Sequence, residues 1–256
     1  MRRWLALVVV AGVVAIGAFA VTAWVSGGKD QAAAPPPTAT GPPPLAQLTI
    51  IFPEGFTVAD MADRVAAVRK IAIDKRGVTP RLTKTAYLRA VDEAVAPSRF
   101  RKDVKSDSLE GFLFPASYDF TQKTSAQELV ADQLRAFRER FRGVDLRYAR
   151  SKNLTPYDVL IIASMIEKET AVPRERRLVA AVIYNRLRNR MPLGIDATIR
   201  YGLHIPGTES LTKKALATDS PYNTRLRPGL PPTPIANPGL ASIRAAANPA
   251  RNVDYL

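Results

Sequence analysis

The sequence predicts an α+β protein: a single N-terminal transmembrane helix, a small strand–helix module, and a larger, mostly helical domain with a few short strands. Three observations carry that prediction. Residues 4–25 form an apolar run without a charged side chain. Beyond residue 46, apolar residues recur at helical spacing behind Ser and Thr caps, while strand-like runs are few and short. Residues 220–239 carry too many prolines for regular structure.

Taken in order, residues 1–3 are a short tail with Arg2 and Arg3, followed by the 4–25 run bracketed by Trp4 and Trp24. A helix of that length spans roughly 30 Å, the thickness of bilayer hydrocarbon. The arginines put the N-terminus in the cytoplasm and the remainder outside, at the cell membrane as a single-pass protein. A cleaved leader is the competing reading, since Ala18-Phe19-Ala20 resembles a small-x-small cleavage site. Residues 26–46 hold two proline triplets, 35–37 and 42–44, and form an extended linker that cannot bury a core.

Residues 47–107 make the small module. Leu48 to Phe52 reads as a strand, Pro53-Glu54-Gly55 as a turn, and Thr57 with Asp60 as a capping box ahead of Met61, Val65 and Val68. A second helix starts near Thr83 and runs through Tyr87, Leu88 and Val91. Residues 108–256 make the larger domain. Its first segment, around Gly111 and Pro115, is dense in aromatics and suits either a buried loop or strand, or rings that stack on sugars. An amphipathic helix follows over 125–141, with Leu129, Val130, Leu134, Phe137 and Phe141 inward. Thr155 and Pro156 fix the start of an apolar helix that ends at Glu167-Lys168-Glu169. Another helix opens at Pro173, carries Leu178, Val179, Val182, Ile183 and Leu187, and reaches about Arg190; a final short one starts at Ile243.

Composition narrows the chemistry. The chain has no cysteine and one histidine, His204. Disulfide frameworks, thiol nucleophiles and thiolate metal sites are excluded, and histidine-dependent triads disfavoured. Acid–base work falls to carboxylates, lysine or tyrosine, with no metal and no cofactor expected. The 37 basic residues give a net charge of +14, which suits solvated helix faces or attraction to an anionic surface. An extracytoplasmic body has no nucleic acid to bind.

At 100° per residue, Glu169 continues the stripe of Ile162, Met165 and Ile166, while Glu167 lies about 200° away. A carboxyl held against apolar surface keeps its proton at higher pH, which is what a general acid requires. Glu169 is therefore the candidate acid, and Glu167 is expected to pair with an arginine. Glu110 is a candidate second carboxyl; His204 reads as an ordinary loop histidine.

Several motifs occur in order. They are Pro53-Glu54-Gly55, Glu110-Gly111-Phe112-Leu113-Phe114-Pro115, Ala163-Ser164-Met165-Ile166-Glu167-Lys168-Glu169 and Tyr184-Asn185-Arg186-Leu187. After these come Met191-Pro192-Leu193 with Asp196 and Thr198, then Tyr222-Asn223-Thr224, Gly229-Leu230-Pro231-Pro232, Ile235 and Asn237-Pro238-Gly239. Together they resemble the MltG/YceG-like family of membrane-anchored endolytic peptidoglycan transglycosylases, over about residues 47–250. The resemblance implies a LysM-like first module, a catalytic role for Glu169, and glycan strands of peptidoglycan as substrate, with wall-synthesis enzymes as partners. Its motifs also supply Asn185, Asp196, Thr198, Tyr222 and Asn223 as candidate sugar contacts, each of which suits a turn or cap equally well. Gly194, Ala197 and Arg225 stand where the family pattern has Gln, Pro and Tyr, and the C-terminus is expected to be shortened. The rival readings are a non-catalytic glycan-binding scaffold and a lysozyme-like hydrolase.

Overall fold

Hydroxyl side chains set the helix starts, because they accept from backbone N–H groups that have no partner within the helix. In the computed structural model, which describes residues 45–104 and 106–251, strand β1 (Leu48–Ile51) leads into helix α1 (Val58–Arg76). Thr57 and Asp60 form a complete capping box on α1, and Gly77 closes it in the left-handed region at φ 61°. Thr83 caps helix α2 (Lys84–Glu93). Strand β2 (Ser117–Phe120) then returns antiparallel along β1, pairing Leu48 with Phe120 and Ile51 with Ser117. Leu48 and Ile50 face inward, and Thr49 and Ile51 outward. The module expected at 47–107 thus takes its second strand from beyond residue 107, and the boundary falls inside one compact unit.

Helix α3 (Ala126–Arg142) starts with the capping box of Ser125 and Glu128 and buries the expected apolar face. Phe137 and Phe141 gather Phe100 and Phe112 into an aromatic cluster, with centroids 4.9 to 5.5 Å apart. The aromatics of residues 108–119 are therefore core, and the sugar-stacking alternative for them fails. Helix α4 (Arg147–Ser151) precedes α5 (Pro156–Glu169), which Thr155 caps as expected, with Asp158 completing the capping box. Every residue of α5 from Val159 to Ile166 is buried, so it is the central helix.

A turn of 3-10 helix (Pro173–Glu175) opens helix α6 (Arg176–Arg188). Its inner face is Ala180, Ala181, Ile183 and Tyr184, whereas Leu178 is exposed. Helices α7 (Asp196–Gly202) and α8 (Lys213–Ala217) come next, and α9 (Leu240–Ala247) packs along α5 and α6. The proline-rich stretch between α8 and α9 has neither helix nor strand. The expected tail, transmembrane helix and most of the linker lie outside the described residues. No helix among the described residues is long and apolar enough to cross a membrane.

Candidate active site

The last turn of α5 leaves the core and sends three consecutive side chains to three different segments. Glu167 accepts from the Gly239 N–H at 2.9 Å and lies 3.5 Å from the Arg176 guanidinium. The Lys168 ammonium donates to the Gly55 carbonyl at 3.3 Å. Glu169 faces the start of α7, where the Ala197 backbone N–H, Asp196 and Arg225 surround its carboxyl.

The two glutamates depart from the helical-wheel expectation. Glu167 has the dry side chain, only 7% exposed, whereas Glu169 is exposed as a residue. Even so, burial by the surrounding protein raises the Glu169 pKa above the usual carboxylate value. The Ala197 N–H and the Arg225 charge oppose that rise, and the Asp196 charge adds to it. Glu169 is thus reachable and partly desolvated together. Glu167 pairs with an arginine as anticipated, and Arg225 holds Asp196 at 2.7 Å.

Beside α7 opens a cleft of about 920 Å³, large enough for several sugar rings. Its wall includes Lys168, Thr57, Asp92, Arg200, Tyr201, the exposed His204 and Ala197, whose N–H reaches Glu169; Glu169 itself is not part of the wall. Glu110 also lines it, but is only 3% exposed. Its oxygens accept from the Val58 N–H at 3.1 and 3.2 Å, the Asn237 amide at 2.7 Å and the Tyr201 hydroxyl at 3.3 Å. With no cation among these partners, burial pushes its pKa up to about 8.

Asn237 knots the site together. Its side-chain oxygen accepts from the Gly111 and Leu113 N–H groups at 2.9 and 3.0 Å. Its side-chain nitrogen donates to Phe56 and to Glu110, and its backbone bonds to Phe56 and Gly55. Gly111, at φ +89°, passes so close to Pro234 that a Cβ there would lie 2.7 Å from the ring. Ile235 is tied to α5 by donating its N–H to the Ser164 hydroxyl at 3.0 Å.

The other predicted contacts divide. Asp196 stands beside Glu169. Tyr222 packs its ring on Tyr201 at 5.2 Å, and its hydroxyl is 2.8 Å from that of Thr233. Thr198 and Asn223 are fully buried, which corrects their assignment as sugar contacts. The Thr198 hydroxyl donates to the Ile195 carbonyl at 2.7 Å and lies 3.0 Å from that of Thr224. The Asn223 amide donates to the Leu216 and Thr218 carbonyls and accepts from the Arg225 N–H. Asn185 is half-buried on α6 and is absent from the cleft wall. Sequence reasoning gave no site role to Asn237, Tyr201 or the Ala197 N–H. Among the described residues no group of three or more His, Asp or Glu side chains is placed to hold a metal.

A sequence profile of the YceG-like family matches residues 38–256. The chain belongs to that family. It is 34% identical over 223 residues to an endolytic murein transglycosylase of Streptococcus pneumoniae R6, a match covering 82% of this chain and 40% of that protein. An endolytic murein transglycosylase of Bacillus subtilis 168 is 32% identical over 217 residues, covering 82% of this chain and 58% of that one. The chain thus spans between 40% and 58% of the length of these relatives. A crystal structure of a YceG-like protein from Listeria monocytogenes matches the fold with a TM-score of 0.64 at 29% identity, over 81% of this chain and 68% of that one. The family expected from the motifs and the family found by comparison are the same.

Proposed function

We propose that this protein is a lytic transglycosylase of peptidoglycan, with Glu169 as its acid–base residue. The observation that carries the reading is a reachable carboxyl with a raised pKa, held by the N–H of Ala197, a residue that lines a cleft of about 920 Å³. Membership of a family whose relatives bear the name endolytic murein transglycosylase supports it.

In the proposed reaction, protonated Glu169 donates to the glycosidic oxygen between N-acetylmuramic acid and N-acetylglucosamine. The bond from the muramyl C1 to that oxygen breaks, and the glucosamine unit leaves with the proton as its 4-hydroxyl. The muramyl 6-hydroxyl then attacks C1 of the oxocarbenium-like intermediate and returns its proton to the Glu169 carboxylate. The product is a 1,6-anhydromuramyl end, with no water consumed. A hydrolase would need a second carboxylate free to activate water or attack C1. Asp196, which acts on Glu169, is paired with Arg225, and Glu110 is enclosed by three donors. The test is to incubate the purified chain with glycan strands and weigh the new ends. Anhydro ends support the reading, and ends carrying an added water sink it.

The proposal extends to location and partners. Residues 4–25 would anchor the chain in the cytoplasmic membrane, and the cleft would work on nascent strands outside it, beside the synthases that make them. A reporter fused after Val25 would be active outside the cytoplasm; a cytoplasmic signal would overturn this arrangement.

A further inference from the structure

Glu167 has no part in the proposed reaction, yet it is the most enclosed carboxylate of the α5 terminus. Three observations bear on its role. Its two oxygens are divided between the Gly239 N–H at the mouth of α9 and the Arg176 guanidinium at the start of α6. Arg176 is itself fixed, donating to the buried Ser242 hydroxyl at 3.0 Å. The Pro53-Glu54-Gly55 turn closes over the pair: a Cβ on Gly239 would fall inside the Glu54 carboxyl, and one on Gly55 would sit 3.4 Å from the Glu167 chain. Burial and then the Glu167 charge raise the Glu54 pKa, while Arg176 lowers it, so all three groups share one field.

We infer that Glu167 is the positioning residue for Glu169, clamping the last turn of α5 to α6 and to the Gly239 loop. This rests on the reading of Glu169 given above. Helix ends fray because the final carbonyls lack intrahelical partners. α5 projects from the core at this point, so its last turn depends on side-chain anchors. Glu167 holds one flank and Lys168, through Gly55, the other, leaving Glu169 pointed at the Ala197 N–H between them. Glu54 limits how tightly the clamp closes, because its own charge competes for Arg176.

Two measurements test this. The first is steady-state kinetics on glycan strands for Glu167→Gln and for Arg176→Met. Misplacing a catalytic group by about 1 Å costs on the order of 10²-fold, so both variants lose about that in kcat with little change in KM. The Glu167→Gln/Arg176→Met double variant loses no more than either single one, since the two changes cut the same link. Arg176→Lys, which keeps the charge but not the guanidinium, falls between Arg176→Met and the unaltered chain. The second is the carboxyl titration of Glu169, followed by NMR on glutamate-labelled protein and assigned with Glu169→Gln. In Glu167→Gln it moves down toward an ordinary carboxylate value as the last turn releases Glu169 to water. Unchanged kcat, or an unmoved Glu169 titration, overturns the inference. If the unaltered chain cleaves no glycan, the reaction reading fails by itself, and the titration still decides whether Glu167 controls Glu169.

Discussion

Glu110 and Glu169 meet the same helix, α7, at opposite ends, and their surroundings could hardly differ more. Glu110 is walled in, touching the Tyr201 hydroxyl near the helix C-terminus and the amides of Val58 and Asn237. Glu169 lies at the helix start, open to solvent, with a guanidinium and an N–H beside it. Both have raised pKa values because protein displaces water from the charged form. The shift alone therefore does not mark the acid. Accessibility separates the two: one carboxyl is open to solvent, and the other serves as a joint between chain segments.

That contrast can be broken or sharpened by substitution. The largest effect belongs to Glu169→Gln, which removes the proton donor while keeping the shape. Glycan cleavage falls by about 10² to 10⁴-fold, and the thermal midpoint stays close to that of the unaltered chain. Cleavage at the original rate would transfer the acid role elsewhere. Next comes Asn237→Ala, which leaves the buried Gly111 and Leu113 N–H groups unmet and takes one donor from buried Glu110. Each unsatisfied buried group costs about 1–3 kcal/mol, so urea unfolding shows a loss of several kcal/mol. A loss below about 1 kcal/mol would mean that the knot is replaceable.

Glu110→Gln is read through pH. In the folded protein this carboxyl keeps its proton up to about pH 8, against an ordinary value of 4.5. Its contribution is fully present below the ordinary value and is lost as pH rises through 8. The denaturation midpoint of the unaltered chain thus falls over that interval and then levels. The glutamine variant lacks this part of the slope; equal slopes would refute the buried-acid description. The smallest effect is expected from Arg225→Ala. Removing that cation raises the Glu169 pKa further and frees the Asp196 charge to act in the same direction. Since a general acid must be protonated, the alkaline decline of activity moves to higher pH; a decline that moved lower would contradict the assigned cluster.

Much of this architecture was legible in the chain itself where the determinants are local. Thr57 and Thr155 cap the helices expected of them, and Thr83 and Ser125 cap helices whose starts were placed at or near them, because capping depends on residues three apart. Helices α4, α7 and α8 have at most seven residues, too few for a periodic signal to emerge. A strand was one reading of the 108–119 segment, but the bounds and partner of β2 were not legible, because β1 lies 66 residues or more away, with Ser117 opposite Ile51. For the α5 glutamates the helical wheel misjudged burial: Glu167 is enclosed by Arg176 and the Gly239 loop, which the wheel cannot see, while Glu169 stands exposed at the helix end. Thr198 and Asn223 show a different ambiguity. A hydroxyl or amide suits a sugar or a turn equally well, and only the fold reveals that both are spent internally. Glu110 stood out as a candidate carboxyl, but its enclosed position did not, since its amide partner, Asn237, follows 127 residues later.

The span of the Asn237 contacts carries a consequence for biogenesis. Its amide nitrogen reaches back 181 residues to the Phe56 carbonyl. A nascent chain emerging from the ribosome would possess both acidic side chains long before the residue that fastens Glu110 had been made. Until then Glu110 lacks the amide that ties it to the Phe56 turn, so this part of the cleft wall is completed only once residue 237 has been made.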